Sequence, residues 1–331
     1  MTTLAIIGGG LVGRSLIYTL AKEEKNFEKV TLFSSDKITS PCSLNSTAIA
    51  ALRGITKGHS PLGDQLVDGF DFFSRHIEEA RPLGVEKIIQ YNGATEKLDQ
   101  FKLRYPSGEF SNRFLKEALF LATENAFMID PKTYLTWLLD RTKSFKTFPI
   151  HEVDDLVIEV VEGERIQLKT LHGKSFLFDK VIFTAGSYNR FWKELHPDSK
   201  LKSSKPSQGS YLEFQNLSWE MDSFSLTIDG DNVIWNKPFQ RLYVGSTTSE
   251  SLHELPPLKE LEAIYHKLHS RLSFELPKFQ EGLLKVGLRE KAQKREPYLL
   301  KKENLIFFGG LYKNAFTLSM KMARDLSHQY L

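Results

Sequence analysis

The chain has 331 residues, of which 41% are apolar and 26% charged, with a formal net charge of +3. That is ordinary for a globular protein, long enough for one large α/β unit or two interleaved domains, and too weakly basic to point to nucleic acid by charge alone. No apolar run approaches the ~18 residues of a membrane span. The single cysteine, Cys42, excludes an intrachain disulfide and a cysteine-based metal cluster, and fits a reducing cytoplasm.

Residues 3–7 read as a short buried strand. No basic stretch precedes this run and a glycine turn cuts it short, so it is not read as a secretory leader. Gly8, Gly10 and Gly13 then occupy the three glycine places of G-x-G-x-x-G, and residues 14–22 read as the helix that follows. One glycine allows the tight turn, one lets backbone approach a pyrophosphate, and one lets helix pack on strand. The helix N-terminus offers free N–H groups and a positive dipole end to the phosphates. A dinucleotide is expected, with NAD and FAD both allowed at this point.

Residues 30–33 form the next strand. A carboxylate usually follows it, ~20 residues past the glycines, to accept hydrogen bonds from the ribose. Here Ser34 and Ser35 come first and Asp36 is the nearest acid. Either Asp36 reaches back, or a serine hydroxyl makes a weaker contact, or the cofactor binds without this anchor.

Further on, residues 134–142 read as a helix, with Asp130 as N-cap and Pro131 at its first position. Residues 156–161, 165–170 and 176–178, with a turn at His172-Gly173-Lys174, suggest a small antiparallel meander. Residues 181–186 are a buried strand ending in small residues. The Lys-, Ser- and Pro-rich stretch 202–209 reads as a crossing linker, and short strands predominate over 210–244. Residues 258–272 are amphipathic and helical, 304–308 a last strand, 317–330 a last helix. Strand–helix pieces at both ends of the chain imply one nucleotide domain completed by the C-terminus, with β-rich insertions between.

Several segments then carry a resemblance. They are the glycine run, the small-residue loop Cys42-Ser43-Leu44-Asn45-Ser46-Thr47-Ala48, Met128-Ile129-Asp130-Pro131, and Thr184-Ala185-Gly186-Ser187-Tyr188. With them go Lys205-Pro206-Ser207-Gln208-Gly209, residues 242–248, and Val286-Gly287-Leu288-Arg289 followed by Pro297-Tyr298 and residues 305–314. In this order they resemble the FAD-dependent D-amino-acid oxidase (DAO) superfamily over essentially the whole chain. Glycine oxidase and the flavin domain of the bifunctional tRNA-uridine modification enzyme are the nearest branches.

The resemblance implies an α/β fold: a Rossmann-like FAD-binding domain of glutathione-reductase type, interleaved with a β-rich α+β substrate domain. The FAD-binding domain is expected at 1–77, 129–202 and 284–331, and the substrate domain at 78–128 and 203–283. It also implies non-covalent FAD, contacted by Gly8, Gly10, Leu11, Val12, Gly13, Ser34, Asp36, Ser43, Asn45, Ser46, Thr47 and Val153 (through its backbone). Ala185, Gly186, Gly310, Lys313, Asn314, Ala315, Phe316 and Thr317 complete the implied set. The implied reaction oxidises a small amine or amino acid, with hydride passing from the substrate carbon to flavin N5 and the imine then hydrolysed. Oxygen or another acceptor takes the electrons. Because deprotonating the ammonium is enough to launch hydride transfer, no catalytic base is assigned.

Arg289 is the leading substrate residue. Its guanidinium can hold a carboxylate through two parallel N–H bonds; the alternative is an ion pair with Glu290. Lys313 either helps bind the carboxylate or raises the flavin's potential. Relatives that oxidise glycine-like substrates place His and Tyr near 229–233, where this chain has Asp229-Gly230-Asp231-Asn232-Val233. These acids attract a cationic group or form a turn, and a turn is the preferred reading. Ala315 replaces a glycine usual beside the isoalloxazine. Cys42 reads as a packing residue, and the scattered His59, His151, His172 and His253 do not form a metal site. Trp192, Trp219 and Trp235 either line a pocket or fill cores. Two further readings stand beside the leading one. The first is a tRNA wobble-uridine oxidoreductase that removes a carboxymethyl group, with Lys-rich segments at 200–205, 291–295 and 301–302 touching phosphates. The second is a non-catalytic flavin-binding protein. Oligomeric state and substrate identity carry no signal in the sequence.

Overall fold

The computed structural model describes residues 2–34, 42–145, 149–154, 158–250 and 258–331. Six strands form one sheet in the order Tyr298–Lys302, Leu305–Gly309, Lys180–Phe183, Thr2–Ile7, Phe27–Ser34 and Ile150–Asp154. All neighbours run parallel except Tyr298–Lys302, which is antiparallel at the edge. The central strand Thr2–Ile7 is apolar on both faces because both are covered. On one side lie the helices Leu11–Lys22 and Ala315–Tyr330, which bury Leu4, Ile6, Leu16, Leu20, Leu318 and Leu326. They approach closely through small side chains, with the Ser15 and Ser319 hydroxyls 3.3 Å apart. On the other side sits the expected meander, Ile158–Val161, Ile166–Thr170 and Ser175–Phe178. Beneath it Phe183 and Phe307 stack with ring centres 4.3 Å apart. Residues 156 and 157, read as the meander's first positions, lie outside the described residues.

A second, nine-stranded sheet holds the rest. Its order is Leu283–Lys291, Lys205–Phe214, Arg241–Gly245, Asp231–Asn236, Phe224–Ile228, Val85–Ala94, Leu119–Ile129 and Ile49–Ala50, with Glu109–Ser111 paired to Leu119–Ile129. Helix Leu258–Arg271 covers one face, where Leu261, Tyr265 and Leu268 meet Leu226, Val233 and Trp235. This is the Rossmann-like domain with an interleaved β-rich partner. Ile49–Ala50 and, from residue 284 on, strand Leu283–Lys291 are expected with the nucleotide-binding part but hydrogen-bond into the larger sheet.

The expected linker at 202–209 is a correction. From Lys205 onward it is strand, paired with Leu283–Lys291 from Lys205↔Lys291 to Glu213↔Leu283. Its Ser207 and Gly209 read as linker residues but are buried, and at Gly209 the Arg289 guanidinium lies directly against the backbone. Trp219 and Trp235 belong to the core under helix Leu258–Arg271, not to a pocket. The Asp229-Gly230 pair is a hairpin turn with left-handed φ at both residues (51° and 94°), and the Asp229 carboxylate accepts from the Thr95 N–H at 2.8 Å. Among the described residues no helix is long and apolar enough to cross a membrane.

Asp130 joins the two parts. One carboxylate oxygen caps helix Pro131–Phe145 by accepting from the Thr133 N–H at 2.9 Å, and the other accepts from Arg241 of the larger sheet at 3.0 Å. The carboxylate is 3% exposed, so removing it strands a partly buried guanidinium and uncaps a helix. Asp130→Ala is expected to lower the unfolding free energy by about 2–4 kcal/mol in urea denaturation. Asp130→Asn, which keeps the cap, should lose roughly half as much; equal losses would sink the assignment of two separate roles.

Candidate active site

The carboxyl ends of the parallel strands open onto a cleft of about 300 Å³. That is the position where an open parallel sheet accepts a ligand. Gly8 turns the chain there with φ of +121°, and a Cβ on it would lie 2.6 Å from the Thr184 carbonyl carbon. A Cβ on Gly13 would lie 2.0 Å from the Gly8 carbonyl oxygen, so helix and strand touch backbone to backbone. The Thr184 hydroxyl donates to Gly8 O at 3.0 Å and Arg14 Nε donates to Gly9 O at 2.7 Å, clasping the loop from two sides. Gly10 sits at the N-cap with no side-chain cap, and the first turn carries no acid. The Ser43 hydroxyl takes the Leu11 N–H at 3.0 Å, which leaves the Val12 and Gly13 N–H groups without intrahelical acceptors beside the cleft. An uncapped, acid-free helix start of this kind fits a pyrophosphate.

At the end of strand Phe27–Ser34, Ser34 is on the cleft wall and its Cβ would meet a Cβ on Gly9 at 2.3 Å. Asp36 lies outside the described residues. Val153 pairs with Phe33 on the edge strand and packs under the meander, outside the cleft wall. Ile158, Tyr188, Phe191 and Trp192 form the wall there instead; of these the sequence leaves Trp192 open as a pocket-lining candidate and places Tyr188 in a family turn, while Ile158 and Phe191 carry no site signal in the sequence. Trp192 donates its indole N–H to Ile158 O at 3.1 Å.

At the other end of the cleft, Ala185 and Gly186 face Gly310 and Ala315. A buried hydrogen-bond chain joins these two turns. The Ala185 N–H donates to Asn189 Oδ1 (2.9 Å), Asn189 Nδ2 to the Tyr298 hydroxyl (3.0 Å), the Tyr298 hydroxyl to Glu290 Oε1 (2.6 Å), and the Gly310 N–H to Glu290 Oε2 (2.9 Å). Burial pushes the Glu290 carboxyl up to about 7, against the hydrogen bonds that favour its charged form.

Arg289 stands next to Glu290 but on the opposite side of the strand, so the alternative ion pair does not form. Its guanidinium covers Gly209, where a Cβ would come within 2.3 Å of Nη2, and its buried Nη1 has no acceptor among the described residues. Cys42 lies beside it, with a thiol pKa raised by burial and partly offset by the Arg289 charge. Behind Cys42 and Ser43, which line the cleft, Asn45 docks the small-residue loop on the Arg289 strand through Val286 O at 2.9 Å. Ser46 accepts from the Ala48 N–H at 3.1 Å, and neither Asn45, Ser46 nor Thr47 is on the cleft wall. Lys313 is also off that wall. Its ammonium reaches the Thr248 hydroxyl at 3.3 Å, and burial together with Arg289, Arg53, Arg295 and Lys291 brings its pKa down to about 8. Asn314 precedes the last helix, Ala315 lines the cleft, and Phe316 and Thr317 point into the protein. Of the Lys-rich segments, Lys200, Lys291 and Lys302 pair with Glu296, Glu250 and Glu162, which reduces the free charge they would offer to phosphates.

The family model described as DAO, FAD dependent oxidoreductase, matches residues 3–329. No curated protein matches the sequence at a significant level. Solved structures are similar in fold. Glycine oxidase from Geobacillus kaustophilus superposes with a TM-score of 0.79 at 16% identity, over 98% of this chain and 93% of that one. Iminodiacetate oxidase from Chelativorans sp. BNC1 gives 0.75 at 18% identity, over 97% and 93%. L-α-glycerophosphate oxidase from Mycoplasma pneumoniae, with FAD bound, gives 0.77 at 15% identity, over 99% and 94%.

The Glu290 network has a signature in pH. A carboxyl raised from 4.5 to about 7 holds its proton more tightly in the folded state. Its contribution to stability is therefore full below about pH 4.5 and is lost as pH rises through about 7. The loss amounts to about 3 kcal/mol. In Glu290→Gln, unfolding midpoints should change less than wild type between those limits; parallel pH profiles for the two proteins would refute it.

Proposed function

The chain belongs to the DAO family of FAD dependent oxidoreductases, and from that premise we propose that it oxidises a small amine or amino acid at a C–N bond. The observation that carries this reading is the Arg289 guanidinium, lying on the cleft wall with a buried Nη1 that has no acceptor among the described residues. An unsatisfied buried donor costs free energy, and a carboxylate brought by a substrate relieves that cost. Two of the similar structures, at 16% and 18% identity, are named for the oxidation of glycine and iminodiacetate, both carboxylated amines.

We assign the pyrophosphate of FAD to the turn Gly8 to Gly13 and the Leu11–Lys22 helix start, with Ser34 towards the ribose. The isoalloxazine falls to Ala185, Gly186, Gly310 and Ala315. Bound there, FAD supplies the acceptor for a hydride from the substrate's α-carbon. The protein's part is orientation: Arg289 fixes the carboxylate, and the fixed carboxylate fixes which C–H bond faces the cofactor. The Glu290–Tyr298–Asn189 chain keeps the two glycine turns at a set spacing. Lys313 holds a proton below about pH 8 and adds positive charge near the anion site.

Anaerobic addition of amino acids and secondary amines to the yellow holoprotein tests the reading. Bleaching by at least one carboxylated amine is expected, and none across a broad panel would sink it. Arg289→Met should weaken that substrate by about 100-fold, the worth of a charged, two-pronged hydrogen bond. Unchanged apparent affinity would remove Arg289 from the site. Carboxylate inhibitors should bind more weakly as pH rises through about 8, where Lys313 loses its charge. In Lys313→Met that step should vanish from the inhibition profile.

A further inference from the structure

We propose that the substrate site accepts an amine carrying two carboxylates, the first held by Arg289 and the second by Arg53; this rests on the amine reading above and narrows its substrate class. Arg53 follows the edge strand Ile49–Ala50 of the larger sheet, and Arg289 sits on Leu283–Lys291 at the opposite edge. The loop before Ile49 closes the gap between these edges. Asn45 Nδ2 bonds Val286 O at 2.9 Å, and a Cβ on Gly287 would lie 2.7 Å from Asn45 O. That docking carries the following turn towards the Arg289 strand, and Arg53 comes close enough for the two guanidinium charges to act on each other.

Arg53 is placed there at a cost. Its φ is +53°, a conformation that residues with a Cβ avoid. A polar ladder on the larger sheet holds it: Glu124 Oε1 accepts from the Arg53 N–H (2.9 Å) and from Asn92 Nδ2 (2.9 Å), and Glu124 Oε2 accepts from the Gly54 N–H (3.2 Å). Gln90, fully buried, supports Asn92 at 3.0 Å. The one carboxylate close to Arg53 is thus taken up by backbone and amide donors. Among the described residues the Arg53 guanidinium has neither hydrogen-bond nor ion-pair partner.

The charges converge without being balanced. Arg53 keeps exposed surface, yet desolvation by the surrounding protein and the Arg289 charge both lower its pKa, with Glu124 and Tyr105 opposing. Arg289 and Arg53 are also the largest contributors, after burial, to the lowered pKa of Lys313. Arg53, Arg289 and Lys313 repel one another until an anion arrives. A single carboxylate occupies one guanidinium through a two-pronged contact and leaves the other bare; a second carboxylate on the same molecule pairs both.

Calorimetric titration of the holoprotein with malonate, succinate and glutarate, against acetate and propionate at fixed ionic strength, reads this directly and needs no turnover. At least one dicarboxylate should bind about 10–100-fold more tightly than its monocarboxylate counterpart. Arg53→Met should bring that ratio towards one, Arg53→Lys should retain part of it, and Arg289→Met should weaken both ligand classes. Both Arg53 variants carry the same left-handed backbone as the parent, and the spectrum of bound FAD reports that each is folded. Equal affinity for the two classes, or a preference that survives Arg53→Met, overturns the proposal. So does glycerol 3-phosphate or inorganic phosphate binding more tightly than every dicarboxylate, since that identifies a phosphate site. A dicarboxylate preference without bleaching by any amine supports the two-anion site and overturns the amine reading; bleaching by amines with a ratio of one does the reverse.

Discussion

Everything in the nucleotide-binding half depends on one close contact, that between the Gly13 Cα and the Gly8 carbonyl. Because nothing larger than hydrogen fits between them, helix Leu11–Lys22 lies directly on strand Thr2–Ile7 and begins at the cleft floor. The same approach seats Ser15 against Ser319, so the C-terminal helix is brought alongside and its own start, at Ala315, faces the cleft from the far side. Two helix N-termini then look into one space, and the parallel strands between them contribute Ile7, Phe33, Ser34, Phe308 and Gly309 to its wall. A ligand with a flat ring and a diphosphate suits such a space, because glycine turns leave room for close approach and aromatic and aliphatic side chains line the rest.

The substrate side is built on a different principle. There the sheet carries polar groups in series, and each fixes the next. Glu290 and Tyr298 tie two glycine turns together; Glu124, Asn92 and Gln90 fix a strained loop; Asp130 and Arg241 join the halves. Buried polar networks of this kind are costly when incomplete and rigid when complete. Arg289 differs in being a charged donor: among the described residues its buried Nη1 is left open on the cleft side of the sheet.

The sequence was most legible where a residue's role is local. The glycine turn, the Asp130 cap and the Asp229-Gly230 hairpin each depend on a few neighbours, and each matches its structure. Ser60-Pro61 equally marks the start of helix Pro61–Ala80, with the Ser60 hydroxyl accepting from the Gly63 N–H at 3.0 Å, a signal present but unread. Residues 205–209 misled because their small and polar side chains suit a linker. They are small instead because Arg289 lies on Gly209 and Ser207 is buried, facts set by a strand some 80 positions away. The placement of Arg53 was illegible for the same reason. It needs Asn45, Glu124 and Val286 together, and no local pattern joins them. Family motifs supplied the positions of Ala185, Gly310 and Arg289, whereas Phe191 on the aromatic wall belongs to no motif and Trp192 stood only as one of two open alternatives.

The left-handed backbone at Arg53 sets stability against recognition at a single position. Glycine would relax that conformation at once, worth about 1 kcal/mol. A selection for heat tolerance alone would therefore drift towards glycine at 53 and reward a protein that has lost one of its two proposed anion anchors. A glycine found at this position in a heat-selected variant would record that exchange, a sturdier scaffold with a blunter sense of what it binds.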